Sequence, residues 1–337
     1  MKIVTMGEIM LRLSPEGNGR FTQASAFEAS WGGAEANVAV LLAQLGEEAV
    51  FVTKLPDGDI GQAAVYELRK FGVETGFIAR GEGRMGIYFL EKGESGRPSK
   101  VIYDRADSAM AKAAVKDFDF KEIFRNCGWF HFTGITPAIS DAAASLTEEA
   151  LKQAKAACVP VSCDLNYRSS LWSREKAGAV LSRLMEYVDV CITNPEQSED
   201  VFGIPAGGTD GDTTGVRNME RIGREMAGRF GIQKTAFTAR ENISASDNVL
   251  SAVLFSCGKV FRSKDYPVHI VDRVGGGDAF AAGLIYGMMH GFTDERTVEF
   301  ASAANAFKHT IEGDFCLAEL DEISDLAWGR GDGRIKR

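Results

Sequence analysis

The chain has 337 residues, 45% of them hydrophobic and 25% charged, an ordinary globular make-up with room for one large α/β domain or two smaller ones. A formal net charge of −9 argues against nucleic acid as the main partner, although a basic pocket can still sit inside an acidic protein. No apolar run reaches membrane-spanning length, the apolar start at residues 1–5 is too short for a signal peptide, and the six cysteines form no C-x-x-C pair; a cytoplasmic protein with no membrane partner is expected.

In chain order, residues 2–6 read as a short apolar strand that ends at Gly7. Residues 8–30 are polar and broken by Pro15, Gly17 and Gly19, with space for two short strands. The run Trp31-Gly32-Gly33-Ala34-Glu35-Ala36-Asn37 leads into a helix with Val38, Leu41, Leu42 and Leu45 on its apolar face, stopped by Gly46. A strand at 49–53, a turn at 56–59 and a helix at 60–71 follow. Residues 77–79, 86–91 and 100–103 read as strands with Gly-rich turns and no helix between them. With residues 10–30 they predict a small antiparallel sheet attached to the main body.

From residue 107 the alternation is regular. Strands are expected at 129–132, 159–163, 188–193 and 234–238, and helices at 141–157, 173–187, 196–202, 216–230 and 294–310. Residues 206–215 read as a polar loop, 251–255 and 259–263 as a hairpin across Cys257-Gly258, and 328–337 as a mobile basic tail. Strands alternating with helices imply a mostly parallel sheet covered on both faces, with ligands outside the carboxyl ends of its strands.

The stretch Asp272-Arg273-Val274-Gly275-Gly276-Gly277-Asp278 carries the chemistry. Three glycines let the backbone turn tightly and present N–H groups, and an apolar run at helical spacing (Ala279 to Met289) follows at once. Donors at a helix start attract an anion. A carboxylate beside that anion is a conflict unless it works. The economical reading is a phosphate on the amides of Gly275, Gly276 and Gly277, with Asp278 as the base for an attacking hydroxyl. A plain turn with Asp278 as the N-cap is the alternative. There is no G-x-x-x-x-G-K-[ST], and no G-x-G-x-x-G follows the first strand, so neither a P-loop enzyme nor a dinucleotide dehydrogenase is expected.

Residues 272–278 resemble the D-T-x-G-A-G-D signature of the ribokinase-like (PfkB) carbohydrate kinases, and Gly32 to Asn37 resemble that family's G-G-x-x-x-N. The likeness spans about residues 1–325 and implies a three-layer αβα sandwich with a mostly parallel central sheet and a small β lid. On that plan 1–9, 31–76 and 106–327 are the catalytic body, while 10–30 and 77–105 form a lid that often also serves as a dimer contact. ATP and Mg2+ are the implied cofactors. The family's usual Thr and Ala are Arg273 and Gly276 here; its N-x-x-E becomes Asn194-Pro195-Glu196-Gln197, with Glu196 or Glu199 as the substitute near magnesium. The T-x-G-x-x-G near the nucleotide lacks its glycines at 238–244.

The opening Gly7-Glu8-Ile9-Met10-Leu11-Arg12, with Asp164-Leu165-Asn166-Tyr167-Arg168 and Tyr103-Asp104-Arg105, resembles the 2-keto-3-deoxygluconate kinases of that family. The likeness implies phosphorylation of a sugar acid at its C6 hydroxyl. Arg168, Arg105, Tyr103 and Tyr88 would face the acid, with Gly33 and Asn37 near the hydroxyls; a guanidinium suits a two-pronged grip on a carboxylate. Asn166, Asn194, Thr238 and Asn305 would join Gly275 and Gly277 on the nucleotide side. A kinase of a neutral sugar such as fructose and a non-catalytic sugar-acid sensor remain the alternatives.

Overall fold

The computed structural model describes residues 1–207 and 215–329. The loop expected at 206–215 and the tail expected at 328–337 therefore lie for the most part outside the described residues. The chain begins with β1 (Lys2–Met6), β2 (Met10–Ser14), β3 (Glu28–Gly32), α1 (Ala34–Gln44), β4 (Glu48–Pro56), α2 (Asp59–Lys70) and β5 (Ile78–Gly81). Next come β6 (Gly86–Glu91), β7 (Lys100–Asp104), α3 (Phe120–Ile123), β8 (Cys127–Thr133), α4 (Ile135–Ala138), α5 (Asp141–Ala156), β9 (Val161–Asp164), α6 (Arg174–Leu184), β10 (Val190–Thr193), α7 (Pro195–Phe202) and α8 (Val216–Phe230). The last part carries β11 (Lys234–Asn242), β12 (Asp247–Ser256), β13 (Lys259–Arg262), β14 (Tyr266–His269), α9 (Gly276–Met289), α10 (Asp294–Lys308) and α11 (Leu320–Ala327).

Ten strands form the main sheet in the order β13-β12-β11-β10-β9-β8-β1-β4-β5, with β14 beside β12. Pairing is parallel from β11 through β5, and antiparallel only where β12 meets β11, β13 and β14. Period-two alternation sends neighbouring side chains to opposite faces. Ile3, Phe51 and Trp129 join the core beneath α1, α9 and α10, while Val4, Val50 and Phe130 join the core beneath α5, α6 and α8. Helix α9 packs so closely on α10 that a Cβ on Gly283 would stand 2.9 Å from the Ala301 Cα. The result is the expected three-layer αβα body. Among the described residues, no helix is long and apolar enough to cross a membrane.

The second sheet, in the order β3-β2-β6-β7, departs from expectation twice. The strand expected at 77–79 is β5, which pairs with β4 at the edge of the main sheet, because α2 gives the crossover that parallel neighbours need. The small sheet is also mixed rather than antiparallel: β2 runs antiparallel to β3 but parallel to β6, with the α1–β5 stretch as its long crossover. Its outer strand β7 leaves Val101, Ile102 and Tyr103 exposed, the apolar surface on which the expected lid-to-lid contact would lie. Helix α11 was not expected from the pattern; Ile323 and Ala327 bury its narrow apolar stripe.

Candidate active site

Side-chain oxygens of Ser140, Ser173, Asn194 and Thr293 cap the starts of α5, α6, α7 and α10. Helices α1 and α9 instead have Gly33 and Gly275 at the N-cap with no side-chain cap, and both starts open on one cleft of about 1120 Å³. The cleft lies past the carboxyl ends of β1, β9, β10 and β11 and under the small sheet, with Glu8, Asp164, Asn194, Thr238 and Tyr88 among its lining residues. This is where a parallel sheet places its ligands.

At the glycine turn, Gly275 is left-handed at φ +88°, and a Cβ there would lie 2.1 Å from the Asp314 carbonyl oxygen. A Cβ on Gly276 would meet His309 Cε1 at 2.3 Å, whereas one on Gly277 would have no neighbour within 4 Å. The helix begins at Gly276, three residues before the apolar run at Ala279, and its first backbone bond runs from Ala279 N to Gly275 O, 2.9 Å. Asp278 is therefore not the N-cap. Gly276, Gly277 and Asp278 occupy the first turn, whose N–H groups have no carbonyl partner inside the helix. Gly275 contributes the turn.

Asp278 is buried on the cleft floor, and its Oδ2 accepts a hydrogen bond from Asn37 Nδ2 at 2.6 Å. Burial pushes its pKa up to about 8; the Asn37 bond pulls against that, while Asp164, Asp314 and Glu35 add to it. A base poised near neutral pH suits proton abstraction. Asn37 also accepts from Gly33 N at 3.3 Å, so both ends of its amide serve the protein, and it reads as the clamp on Asp278 more than as a sugar ligand. Gly33 itself admits no side chain: a Cβ would sit 2.1 Å from the Glu8 carbonyl oxygen.

At the other end, Arg105 Nε donates to Glu8 Oε2 at 2.8 Å, Nη2 pairs with the same oxygen, and the guanidinium lies 5.7 Å from the centre of the Tyr103 ring. Glu8 Oε1 is buried with no partner. Arg168 is exposed, and among its described bonds Nη1 donates only to the Tyr167 carbonyl, 3.1 Å. Tyr88, expected to reach the substrate, is 3% exposed and gives its proton to Asp314 Oδ2 at 2.6 Å. Packing on the inner lid face commits that hydroxyl.

Among the residues expected on the nucleotide side, Asn194 spends its side-chain oxygen on Gln197 N at 2.8 Å, as the α7 cap. Glu196 is exposed in the first turn of α7. Asn166 is buried after β9 at φ +39°, and its N–H donates to Asp164 Oδ1 at 3.0 Å. Burial raises Asp164 to about 7, although Arg168 opposes that shift. Thr238 is half-buried on β11, and Asn305 is buried on α10 with its Oδ1 unpartnered, 2.8 Å from where a Gly276 Cβ would stand.

Several residues have roles that their local sequence does not reveal. Glu35, inside the G-G-x-x-x-N run, accepts from Thr133 N, Thr133 Oγ1 and Thr136 Oγ1 at 2.9, 2.8 and 2.6 Å. It anchors α1 beneath the cleft, and burial raises its pKa. Arg12, Asp272, Asp314 and Lys308 form a buried charged cluster behind the glycine turn. A lone arginine in an apolar strand carries no sequence signal for such a cluster, because its partners Asp272 and Asp314 lie far along the chain.

A mostly parallel sheet between helical layers, with a second small sheet over the cleft, is the ribokinase-like fold. The chain belongs to the pfkB family of carbohydrate kinases, whose model matches residues 1–314. The crystal structure of a 2-dehydro-3-deoxygluconokinase from Thermotoga maritima is 49% identical, superposes with a TM-score of 0.94 and covers 98% of each chain. A 2-dehydro-3-deoxygalactonokinase of Haloferax volcanii is 33% identical over 336 residues, 100% of this chain and 99% of that protein. A pfkB family carbohydrate kinase of known structure from Listeria grayi is 34% identical with a TM-score of 0.91, over 97% of this chain and 100% of that one.

Proposed function

We propose that this carbohydrate kinase uses ATP to phosphorylate the C6 hydroxyl of a 2-keto-3-deoxy sugar acid, with 2-keto-3-deoxygluconate as the first candidate. One observation carries the reading. An uncapped helix start built of glycines lies beside a buried carboxylate whose pKa sits at about 8. Phosphoryl transfer asks for donors that spread charge on the moving group and for a base at the acceptor hydroxyl. The turn at 275–277 offers the first, and Asp278, aimed by Asn37, offers the second.

The opposite end supplies the acid grip. Arg168 is free to turn into the cleft, and Arg105, fixed to Glu8 through Nε and Nη2, still has Nη1 to offer. Tyr103 stacks beside it from the lid. Magnesium keeps most of its waters and takes one or two carboxylates beside the phosphates; Glu196 and Asp164, both on the cleft wall, suit that demand. When bound, the ion neutralises charge on the ATP oxygens. Thr238 and Asn305 line the same cleft and suit the nucleotide.

The test is ADP release with 2-keto-3-deoxygluconate, its galactonate epimer, fructose and no sugar. Turnover on either keto acid, well above fructose, supports the reading. Preference for fructose would make this a neutral-sugar kinase. Tight binding of an acid with ATP left intact would make it a sensor.

A further inference from the structure

Directly behind the glycine turn sits a cluster of charges that the phosphoryl-transfer scheme does not use. Arg12, on β2 of the lid sheet, is 1% exposed. Its Nη2 donates to Asp272 Oδ2 at 2.5 Å, its Nη1 to Asp314 Oδ1 at 2.7 Å and its Nε to Ser14 Oγ at 3.0 Å. Asp272 enters the turn, and its Oδ1 accepts from Val274 N at 3.1 Å. Asp314 backs the turn with its carbonyl and takes the Tyr88 proton on Oδ2.

Burial raises the Asp314 pKa, while Arg12 and the Tyr88 hydroxyl favour its carboxylate; with both acids ionised, two carboxylates and one guanidinium leave a net negative charge. That charge would lie buried against a loop that has to receive an anion. In low-dielectric surroundings such a charge is felt strongly. His309, beneath Gly276, does not cancel it, because burial holds the ring neutral, with a pKa of about 4. Arg240 and Arg273 also stand near His309, but the cation whose charge meets both Asp272 and Asp314 is Lys308, the last residue of α10 and 0% exposed. Its Nζ donates to the Ile311 carbonyl at 3.1 Å, and its Cε is 3.2 Å from where a Gly275 Cβ would stand. Burial lowers the Lys308 pKa from its ordinary value, and Asp272 and Asp314 are the charges that favour its ammonium form against that.

We propose that Lys308 is a positioning residue for phosphoryl transfer, a built-in ammonium that balances Asp272 and Asp314 behind the glycine turn and keeps its amides receptive to an anionic group. The cluster is then neutral, with Arg12 and Lys308 against two carboxylates, and Arg12 joins it to the lid. This rests on the reading of the turn as the phosphoryl cradle.

Lys308→Ala tests it. The substitution leaves a hole beside the Ile311 and Asp314 carbonyls, a space suited to a small cation. Turnover is expected to fall on the order of 100-fold, as when one oxyanion donor is lost, while KM for the sugar acid barely changes. Ammonium chloride should restore much of the lost turnover, and tetramethylammonium, too large for the hole, should not. Unchanged turnover, or a loss that ammonium does not relieve, overturns the proposal. If Lys308→Ala does not fold, the charge-balanced pair Lys308→Met with Asp314→Asn should fold and turn over; its failure also overturns it. Wild-type protein run alongside separates the two claims, since an inactive wild type sinks the kinase reading, whereas an unimpaired Lys308→Ala beside an active wild type sinks only this one.

Discussion

In the proposed reaction, the working groups at the phosphate end of the cleft are backbone amides and one carboxylate, all from residues 275–278. At the acid end they are side chains from separate segments, Arg105 and Tyr103 on the lid side and Arg168 after β9. The first end is braced from behind: Gly275 on Asp314, Gly276 on His309, Asp278 on Asn37. The second is half open, with Arg168 exposed and only Arg105 tethered. The contrast follows from what each end must recognise. A phosphoryl group is the same for every acceptor, so a rigid backbone cradle serves. A sugar acid differs between relatives, and side chains on mobile or exposed segments can be exchanged without disturbing the cradle.

The sharpest way to break this comparison is Asp278→Asn. Turnover should fall roughly 100- to 10,000-fold, with little change in either KM. The same change should stabilise the protein. A carboxyl whose folded pKa is raised to about 8 favours folding less and less as pH climbs from its unfolded value through 8, so the variant should melt above wild type at pH 8 and draw level near pH 4. A variant that keeps wild-type turnover would remove Asp278 from the chemistry.

Within the cradle, Gly275→Ala meets both a left-handed φ and the Asp314 carbonyl, and should cost about 1–3 kcal/mol of stability together with most activity. Gly277→Ala meets no neighbour, so its melting temperature should hold while KM for ATP rises, as its methyl occupies cleft space. Equal melting losses in the two would mean the turn is not braced as described.

At the acid end, Arg168→Ala should raise KM for the sugar acid about 10- to 100-fold, the worth of a charged hydrogen bond, and leave KM for ATP near its starting value. Equal effects on both would erase the division between the two ends. The smallest effect is expected from Asn37→Ala. It removes the hydrogen bond that lowers the Asp278 pKa, so the rising limb of kcat/KM against pH should shift to higher pH. A limb that moves the other way would show that Asn37 does not hold the base.

Much of the layout was legible in residue order. Hydrophobic period and glycine stops placed β1, α1, α5, α8 and α10 close to where they lie, since those signals are local. The strand expected in the lid at 77–79 joins the main sheet instead, because a short apolar run does not say which edge it will join, and α2 decides that. Tyr88 looked like a ligand and is a donor to Asp314, more than 200 residues away, a partner no local pattern reveals.

The sequence by itself determined the glycine turn and the helix start behind it: three glycines, an acid and a helical run are contiguous, and such a turn needs no distant partner to be recognised. Only the tertiary structure decided which charges stand behind it. Arg12, Lys308, Asp272 and Asp314 come from a lid strand, a helix end and two loops, and they meet because the sheet and α10 bring them there. Backbone conformation is a short-range property of the chain, whereas the neutralisation of a buried charge depends on whatever else folding has put within a few ångströms of it.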